Sequence, residues 1–345
     1  MTSSSETRPP KFKWQIRPYR DDDIPAIVAV INAMDAADQL DEGRGEDEIS
    51  SRFHDPNADP YRLAFVVEGP RIEGMPEGML LGAAALQVEA DSEQGLRSYI
   101  ARFWSHPAAR QHGLEPILLG RLIALAREHE ASSSISPMQS TLFAGFRDNK
   151  LGRRELYERF GLRPTREFWR MACPLDLPIK VPHPIPGVTL RTYRRPEDNA
   201  AACAAYNDSF RDHWDHHDET LEGWNHAIAA PSRRPDLSWI AEINARSGHV
   251  AGFCLCAIHE EDIQHTGRKE GWIELLGTTR EWRSKGLGKS LLLHGLHSLK
   301  SAGLDIALLG VDSTSPTGAQ NLYTSTGFTI HHRDAIYSSP LDNLQ

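Results

Sequence analysis

The strongest constraint in this sequence is that its second half repeats the pattern of its first. Matching segments occur in the same order: IRPYR at 16–20 and LRTYR at 190–194, LYERFGL at 156–162 and LYTSTGF at 322–328, and the pairs Pro174-Leu175 and Pro340-Leu341. In the middle of the chain, residues 173–187 include five prolines, which disfavour a helix and favour an extended spacer. A duplication accounts for these matches, so we expect two similar domains.

The length agrees with that division, because 345 residues at about 150 per domain give about two domains. We predict an N-terminal domain at residues 11–178, a proline-rich linker at 179–187 and a C-terminal domain at 188–345. Residues 1–10 are polar and rich in serine and proline, so they are predicted to form a disordered tail.

Charge and composition exclude several classes of function. The net charge is −9 and the chain has no basic run, which argues against a nucleic-acid partner. No stretch approaches the roughly 20 apolar residues of a membrane span. The four cysteines lack a CxxC spacing and are too few to staple a chain of this length, so we expect reduced thiols and a cytoplasmic location.

The second half alternates strands and helices. Apolar periodicity and turn residues predict strands at 188–194, 238–244, 250–258, 271–278 and 304–311, helices within 196–229 and at 287–301 and 316–326, and a final strand. Ser315 is expected to cap the last helix, with Pro316 at its first position and Gly327 after its end. The predicted fold is α/β of the mixed α+β kind, with a mostly antiparallel sheet flanked by helices in each half.

The segment 272–296 carries the clearest chemical pattern: a strand, a turn with two glycines and a helix. Such a turn aims free backbone N–H groups and a helix N-terminus at one point, which favours a phosphate group. A Walker A loop requires glycine at position 283, where arginine stands. A dinucleotide fingerprint requires glycine at position 291, where leucine stands.

The motif that does fit is R-x-x-G-x-G at residues 283–288, followed by Tyr323 and by Gly327-Phe328. This pattern resembles the general N-acetyltransferase (GNAT) superfamily, and the duplicated layout is similar to tandem members such as the mycothiol synthases. The resemblance implies an acetyltransferase with acetyl-coenzyme A (acetyl-CoA) as cosubstrate. The positions implied to bind it are Leu276, Gly277, Thr278, Arg283, Ser284, Lys285, Gly286, Leu287, Gly288, Lys289 and Ser290.

The first half keeps the arginine and the first glycine of this motif, as Arg110 and Gly113, but Glu115 replaces the second glycine and Pro116 replaces the lysine after it. A carboxylate repels a pyrophosphate, and proline removes one N–H donor. We expect a degenerate copy that packs, dimerises or shapes the acceptor site, while the second half carries out the reaction.

Two residues are candidates for proton transfer. The resemblance implies that Tyr323 protonates the departing thiolate; the alternative is that its ring only packs in the core. Strand alternation places Glu274 on the same face as Leu276 and Thr278, where it would deprotonate or attract an ammonium group. Several family members carry this carboxylate two residues earlier, where this chain has Trp272. The alternative for Glu274 is a charge that solvates the strand edge.

The acceptor is expected at residues 207–218, a region that lines the amine pocket in the family. Phe210, His213 and Trp214 lie there among carboxylates, a mixture that suits a cationic acceptor. His213 and His217 have the spacing of zinc ligands, but no Glu follows the first histidine, so we predict no metal.

The sequence therefore predicts an N-acetyltransferase that acts on a primary amine of a small, cationic acceptor by direct attack. Two alternatives stay open: acetylation of a peptide or protein N-terminus, and a non-catalytic CoA-binding regulatory protein. Neither a nucleic acid nor a membrane is expected as a partner, and a homodimer is compatible with the pattern.

Overall fold

The computed structural model describes residues 13–40, 43–56, 58–72, 74–91, 95–133, 139–147, 151–214, 216–246 and 248–345. The tail predicted at residues 1–10 lies outside this part of the chain. The strands are β1 (Gln15–Pro18), β2 (Ala64–Glu68), β3 (Leu80–Asp91), β4 (Leu96–Ser105), β5 (Gln139–Arg147), β6 (Arg163–Pro174), β7 (Val188–Thr192), β8 (Trp239–Ile243), β9 (Val250–Ala257), β10 (Glu270–Thr278), β11 (Ile306–Asp312) and β12 (Thr329–Pro340).

Helices lie between the strands in both halves. They are α1 (Ile24–Ala37), α2 (Glu46–Phe53), α3 (Pro60–Leu63), α4 (Pro107–Arg110), α5 (Leu114–Ser132), α6 (Leu151–Arg159), α7 (Asn199–Phe210), α8 (Leu221–Ala229), α9 (Glu260–Thr266), α10 (Leu287–Ser301) and α11 (Ala319–Ser325). No helix in the described part of the chain is long and apolar enough to cross a membrane.

All twelve strands form one sheet, in the order β1-β2-β3-β4-β5-β12-β6-β11-β10-β9-β8-β7. Only the β4–β5 and β10–β11 pairs among these neighbours are parallel. Helices cover both faces: α10 packs its leucines on one side of the second half, whereas α7 and α8 pack on the other. The predicted mixed, mostly antiparallel sheet flanked by helices is confirmed.

The last strand of each half is exchanged. Strand β6 of the first half pairs with β11 of the second, and β12 of the second half pairs with β5 of the first. The two exchanged strands pair with each other at the centre of the sheet. Each half is thus completed by a strand of the other. The predicted division of the chain at residues 178 and 188 did not include this exchange. Those boundaries remain predictions.

The repeat extends to side-chain pairing at the start of each half. Equivalent arginines on β1 and β7 each bridge two carboxylates: Arg17 with Asp23 (2.7 Å) and Glu68 (2.6 Å), and Arg191 with Asp198 (2.7 Å) and Glu242 (2.8 Å). The same ion-pair geometry at the same place in both halves supports the duplication.

The proline-rich segment between β6 and β7 runs along helix α10. Ser290 Oγ donates to His183 O at 2.9 Å, His297 Nε2 lies 3.1 Å from Lys180 O, and Lys300 Nζ donates to Leu177 O at 3.1 Å. Prolines leave few N–H groups in this segment, but its carbonyls accept these side chains. The segment is therefore hydrogen-bonded along one side of α10, the helix that follows the two-glycine turn.

The predicted start of the last helix is wrong. Helix α11 begins at Ala319 rather than at Pro316, because Gly318 adopts a left-handed φ of 65° and the N–H of Gly318 donates to Ser315 O in a turn. The predicted glycine after the helix end is confirmed, since Gly327 has φ 106°. The sequence analysis also missed the short helix α9.

Candidate functional site

The two-glycine turn is wound tightly between β10 and α10. Ser284 has φ 60° and Gly286 has φ 82°, both in the left-handed region, and Gly286 is the N-cap of α10. Positive φ in a turn before a helix gathers N–H groups into a concave anion site. A Cβ at Gly288 would lie 3.3 Å from Thr278 Oγ1, so glycine lets the first helical turn approach the end of β10.

A cavity of about 490 Å³ lies in front of this turn; we call it the loop pocket. Nine of the predicted cosubstrate positions line it: Leu276, Gly277, Thr278, Arg283, Ser284, Gly286, Leu287, Gly288 and Lys289. Phe210, His213, Tyr323 and the start of α11 complete the lining.

Two of the predicted positions do not line the loop pocket. Ser290 donates its N–H to Gly286 O and its hydroxyl to His183 O of the proline-rich segment, and its contact with the cosubstrate stays a prediction. The ammonium of Lys285 lies 4.7 Å from the centre of the Trp282 ring. This cation–π contact holds the Lys285 ammonium group against the Trp282 ring, beside the turn.

Strands β10 and β11 part beside the loop pocket. They pair over three residues only, from Glu270 to Trp272 opposite Ile306 to Leu308. Beyond Leu308, β11 continues its pairing with β6, while β10 continues along β9. The parting of two parallel strands makes the backbone of residues 274–278 accessible from one edge.

Tyr323 lies on α11 with 7% of its surface exposed and lines the loop pocket. Its ring meets Phe328 edge-on at 6.0 Å. Burial raises the pKa of the Tyr323 hydroxyl, so the group keeps its proton at neutral pH. The residue belongs both to the core and to the pocket.

Glu274 does not share the face of Leu276 and Thr278 as strict alternation predicts. The pairing of β10 with β9 shifts register between Ile273 and Leu275, which makes Glu274 the extra residue of a β-bulge. Leu276 packs with the α10 side of the sheet, whereas Leu275 packs with the α7 side. Glu274 lines a separate cleft between the halves, formed by α2 of the first half and by α8 and α9 of the second.

In this cleft the carboxylate of Glu274 is held by two side chains that the sequence analysis missed. His259 Nε2 lies 3.2 Å from Glu274 Oε1, and Arg233 Nη1 lies 3.3 Å from Oε2. Burial alone would raise the pKa of Glu274, but the His259 hydrogen bond and the Arg233 charge outweigh it and lower the pKa to about 2. Neither partner has a sequence spacing that relates it to Glu274.

The imidazole of His259 responds in the opposite direction. Burial alone would lower its pKa, but the hydrogen bond with Glu274 and the charges of Glu274, Glu48 and Asp262 raise it above its usual value. Trp272, which stands where several family members carry their carboxylate, meets the His259 ring edge-on at 6.2 Å and lies under the Arg170 guanidinium. The Glu274 carboxylate thus keeps the His259 imidazole more basic than a free one.

The inter-half cleft has a volume of about 550 Å³ and an acidic lining. Its carboxylates come from both halves: Asp47, Glu48, Asp55, Glu260, Glu261, Asp262 and Glu274. Arg52, Arg233, His226 and His259 are the basic groups of the lining. The excess of carboxylates favours a cationic ligand.

The predicted acceptor residues lie between the loop pocket and the first half. Phe210 and His213 line both the loop pocket and a neighbouring cleft of about 440 Å³, which Trp214 also lines. The Trp214 ring meets Phe143 of β5 edge-on at 5.2 Å. Burial lowers the pKa of His213, which keeps it neutral. Among the described residues, which omit Asp215, no group of three or more His, Cys, Asp or Glu could hold a metal.

In the first half, the counterpart of the turn is filled by the protein itself. Glu115 accepts hydrogen bonds from Ser105 Oγ (2.7 Å) and from Arg153 Nη2 (2.9 Å) and Nε (3.1 Å). Gly113 keeps the left-handed conformation of its counterpart, with φ 76°. The first half therefore keeps the backbone conformation of the turn, and the Glu115 carboxylate takes the place that an anionic ligand would have there.

The sequence of this chain is similar to those of known proteins. The acetyltransferase (GNAT) family model matches residues 199–328. The mycothiol acetyltransferase of Nocardia farcinica is 30% identical over 266 residues, which are 75% of this chain and 84% of that protein. That of Thermobispora bispora is 35% identical over 178 residues, 52% of this chain and 59% of that protein, so the match spans less than two thirds of this relative.

The fold has a close counterpart as well. A tandem GNAT protein from the clavulanic acid biosynthesis pathway superposes with a TM-score of 0.69 at 17% identity, covering 95% of this chain and 99% of that one. The predicted resemblance to tandem GNAT proteins is confirmed. The match to the Nocardia protein covers most of both chains, so this chain belongs to the family of tandem GNAT acyltransferase enzymes that includes these mycothiol acetyltransferases.

Proposed function

We propose that this enzyme transfers the acetyl group of acetyl-CoA to a primary amine of a small, cationic acceptor, and that the second half carries out the reaction. One observation carries the proposal: the two-glycine turn, the parting strands and Tyr323 all border the loop pocket. Strand β10, which lines this pocket at residues 276–278, also contains Glu274 of the acidic inter-half cleft.

The residues of the loop pocket fit acetyl-CoA. The N–H groups of the turn and the charge of Lys289 suit a pyrophosphate, and the space that a Cβ at Gly288 would fill is left open. Bound acetyl-CoA supplies a thioester. In this proposal, the backbone N–H groups among residues 276–278 that point away from β9 stabilise the oxyanion that develops during acyl transfer. Tyr323 supplies a proton to the thiolate sulfur.

Glu274 acts in this proposal through its neighbour. A carboxylate with a pKa of about 2 is a weak base, but its charge attracts an ammonium group and keeps His259 basic. His259 accepts the proton from the ammonium group, and the free amine then attacks the thioester carbon. As the C–S bond breaks, Tyr323 gives its proton to the sulfur and recovers a proton from the attacking nitrogen. The sequence prediction was that Glu274 deprotonates or attracts an ammonium group; this proposal assigns the attraction to Glu274 and the proton transfer to His259.

The charge of the inter-half cleft supports a cationic acceptor. Since the relatives are named mycothiol acetyltransferases, the amine precursor of mycothiol is the first acceptor to test, followed by aminosugars and polyamines. The four cysteines are buried free thiols, which supports the expected cytoplasmic location.

The test is an acetyl-transfer assay with these amines and a peptide with a free N-terminus, read by mass spectrometry of the acetylated product. We expect product from one or more small amines and none from the peptide. Preferential acetylation of the peptide would favour the N-terminal acetyltransferase alternative. Acetyl-CoA binding without any product would favour the non-catalytic alternative.

A further inference from the structure

The first half contains a strongly basic cavity that the proposed reaction does not use. It has a volume of about 380 Å³ and lies between α1, α2, β4 and the exchanged strands β6 and β12. We call it the arginine cavity, because six arginines and two aspartates line it: Arg44, Arg52, Arg102, Arg147, Arg153 and Arg170, with Asp35 and Asp334. This surplus of positive charge occurs in a chain with a net charge of −9.

Arg153 and Arg147 each have a carboxylate partner in the protein, and Arg44 pairs with Glu48. Arg153 Nη2 lies 2.9 Å from the half-buried Glu115, and Arg147 Nε lies 3.3 Å from Asp334 Oδ1. Both pairs lie largely out of solvent, where a carboxylate partner is needed to offset the loss of hydration. Their charges are therefore accounted for without a ligand.

Arg102 is not balanced in this way. Its Nη1 donates at 2.8 Å to the neutral amide oxygen of Gln87. The nearby carboxylate of Glu89 already accepts from Gln87 Nε2 at 2.9 Å and lies 3.2 Å from His217. Burial and the charge of Arg52 lower the pKa of Arg102 to about 10.

Arg52 adds a second cation beside Arg102. It shares the carboxylate of Glu48 with Arg44, at 3.1 Å from each arginine, and 41% of its side chain is exposed at the mouth of the cavity. Two neighbouring guanidinium groups repel each other, and holding them in a confined space costs free energy in the absence of an anion. An oxyanion between them would reverse this repulsion and accept charge-assisted hydrogen bonds.

The remaining wall of the cavity is apolar, with Ile49, Ile100 and Trp104 among its lining. A ligand that satisfies both kinds of wall has an oxyanion at one end and an apolar body at the other. A volume of about 380 Å³ is within the range of pockets for small organic molecules.

The arginine cavity lacks the open two-glycine turn of the loop pocket, so we do not expect it to bind a second acetyl-CoA. Glu115 fills the turn that corresponds to the two-glycine turn, and its carboxylate accepts hydrogen bonds from Arg153 and Ser105. Pro116 removes a further N–H donor from the first turn of α5. A pyrophosphate would have to displace an internal ion pair at that turn.

We propose that the arginine cavity binds a small organic anion whose carboxylate or phosphoryl group lies between Arg52 and Arg102. Arg52 also lines the inter-half cleft that contains Glu274 and His259. One side chain therefore contacts both the anion and the proposed acceptor cleft. The proposal concerns a site in the first half and does not depend on the acetyl-transfer proposal.

The test uses phenyl phosphate and benzoate as probes and benzyl alcohol as their neutral counterpart, with binding followed by calorimetry and by the melting temperature. One or both anions should bind with a millimolar dissociation constant, roughly as expected for about ten non-hydrogen atoms, and benzyl alcohol should not. The two anions distinguish a phosphoryl from a carboxylate preference.

Arg102→Met should weaken binding of the better anion by about tenfold or more, since it removes a charge-assisted hydrogen bond. Without ligand its melting temperature should equal or exceed that of the parent, because a confined and repelled charge is lost. Arg52→Gln should weaken binding similarly. Arg121→Gln is the matched control, since Arg121 pairs with Glu128 on the surface of α5.

Gly288→Glu separates this site from the loop pocket, because it should retain anion binding even where acetyl-CoA binding is lost. Three results would overturn the proposal: binding of neither anion, equal binding of benzyl alcohol, or anion binding that is lost in Gly288→Glu and kept in Arg102→Met. A clear drop in the melting temperature of ligand-free Arg102→Met would also overturn it, because Arg102 would then be a structural residue.

Discussion

At the scale of single residues, the proposed chemistry depends on how environment tunes three side chains. Tyr323 keeps its proton because it is buried, whereas Glu274 loses its proton readily because His259 and Arg233 hold it. The sequence could place Tyr323 at the loop pocket, because it lies at a fixed distance along the chain from the two-glycine motif, whereas strand alternation assigned Glu274 to the wrong face of β10. It could not find His259, since that contact joins the end of β9 to β10 across the sheet.

Tyr323→Phe removes the hydroxyl and keeps the ring. If the hydroxyl protonates the thiolate, kcat should fall by about 10² or more, while acetyl-CoA affinity and the melting temperature stay at the parent values. Tyr157→Phe is the matched control, because the Tyr157 hydroxyl donates to Gly145 O at 3.2 Å in the first half. That variant should lower the melting temperature without changing kcat. Parent-like turnover in Tyr323→Phe would leave packing as the role of this ring.

The pair His259 and Glu274 predicts a pH dependence. Because only neutral imidazole accepts a proton, kcat at saturating amine should rise with pH as His259 deprotonates. Glu274 raises the pKa of His259, so Glu274→Gln should move this rise to lower pH and should increase KM for the amine. His259→Gln should abolish the rise and lower kcat.

The pH profiles of kcat and kcat/KM for the parent and both variants test this assignment. A Glu274→Gln profile whose rise stays at the parent pH would contradict coupling through His259. If kcat fell in Glu274→Gln but not in His259→Gln, Glu274 would itself be the base.

At the scale of elements, the sequence predicted the strand-turn-helix around residues 272–296 closely, because glycine positions and leucine spacing determine it locally. It failed where a local pattern is overridden. The β-bulge at Glu274 changes which face each residue of β10 occupies, and Gly318 delays the start of α11 by three residues. Neither feature alters the period of the apolar residues enough to be read from it.

The two-glycine turn is expected to determine the affinity for acetyl-CoA. Gly288→Glu should lower acetyl-CoA affinity by about 10² or more, since it combines a Cβ 3.3 Å from Thr278 Oγ1 with a carboxylate beside the pyrophosphate. Gly288→Ala adds only the Cβ and should have a smaller effect, which separates crowding from charge. Calorimetric titration with acetyl-CoA measures both. Unchanged affinity in Gly288→Glu would place the cosubstrate elsewhere.

At the scale of the whole molecule, the exchange of β6 and β12 makes the two halves interdependent. The duplication was evident from sequence, but the exchange was not, because either final strand has the pattern needed to pair with β5 or β11. A cleft lies between the halves, where α2 of the first half faces α8 and α9 of the second. The proposed acceptor site is thus a product of the tandem arrangement.

Because each half contains a strand of the other, we expect the chain to unfold in one cooperative transition. Acetyl-CoA bound to the second half should then raise the melting temperature of the entire molecule. Scanning calorimetry tests this by comparing the calorimetric enthalpy with the van't Hoff enthalpy. Two separate transitions, of which acetyl-CoA shifts only one, would show that the halves are independent.

The central claim is that acetyl transfer to a small amine takes place at the loop pocket of the second half. The most direct measurement is a single-turnover assay of acetylated product, with the preferred amine and enzyme in excess over acetyl-CoA, in the parent, Gly288→Glu and Tyr323→Phe. We expect rapid product formation in the parent, little product in Gly288→Glu because acetyl-CoA is not held, and slow but complete conversion in Tyr323→Phe. Product formation at the parent rate in Gly288→Glu would contradict this claim.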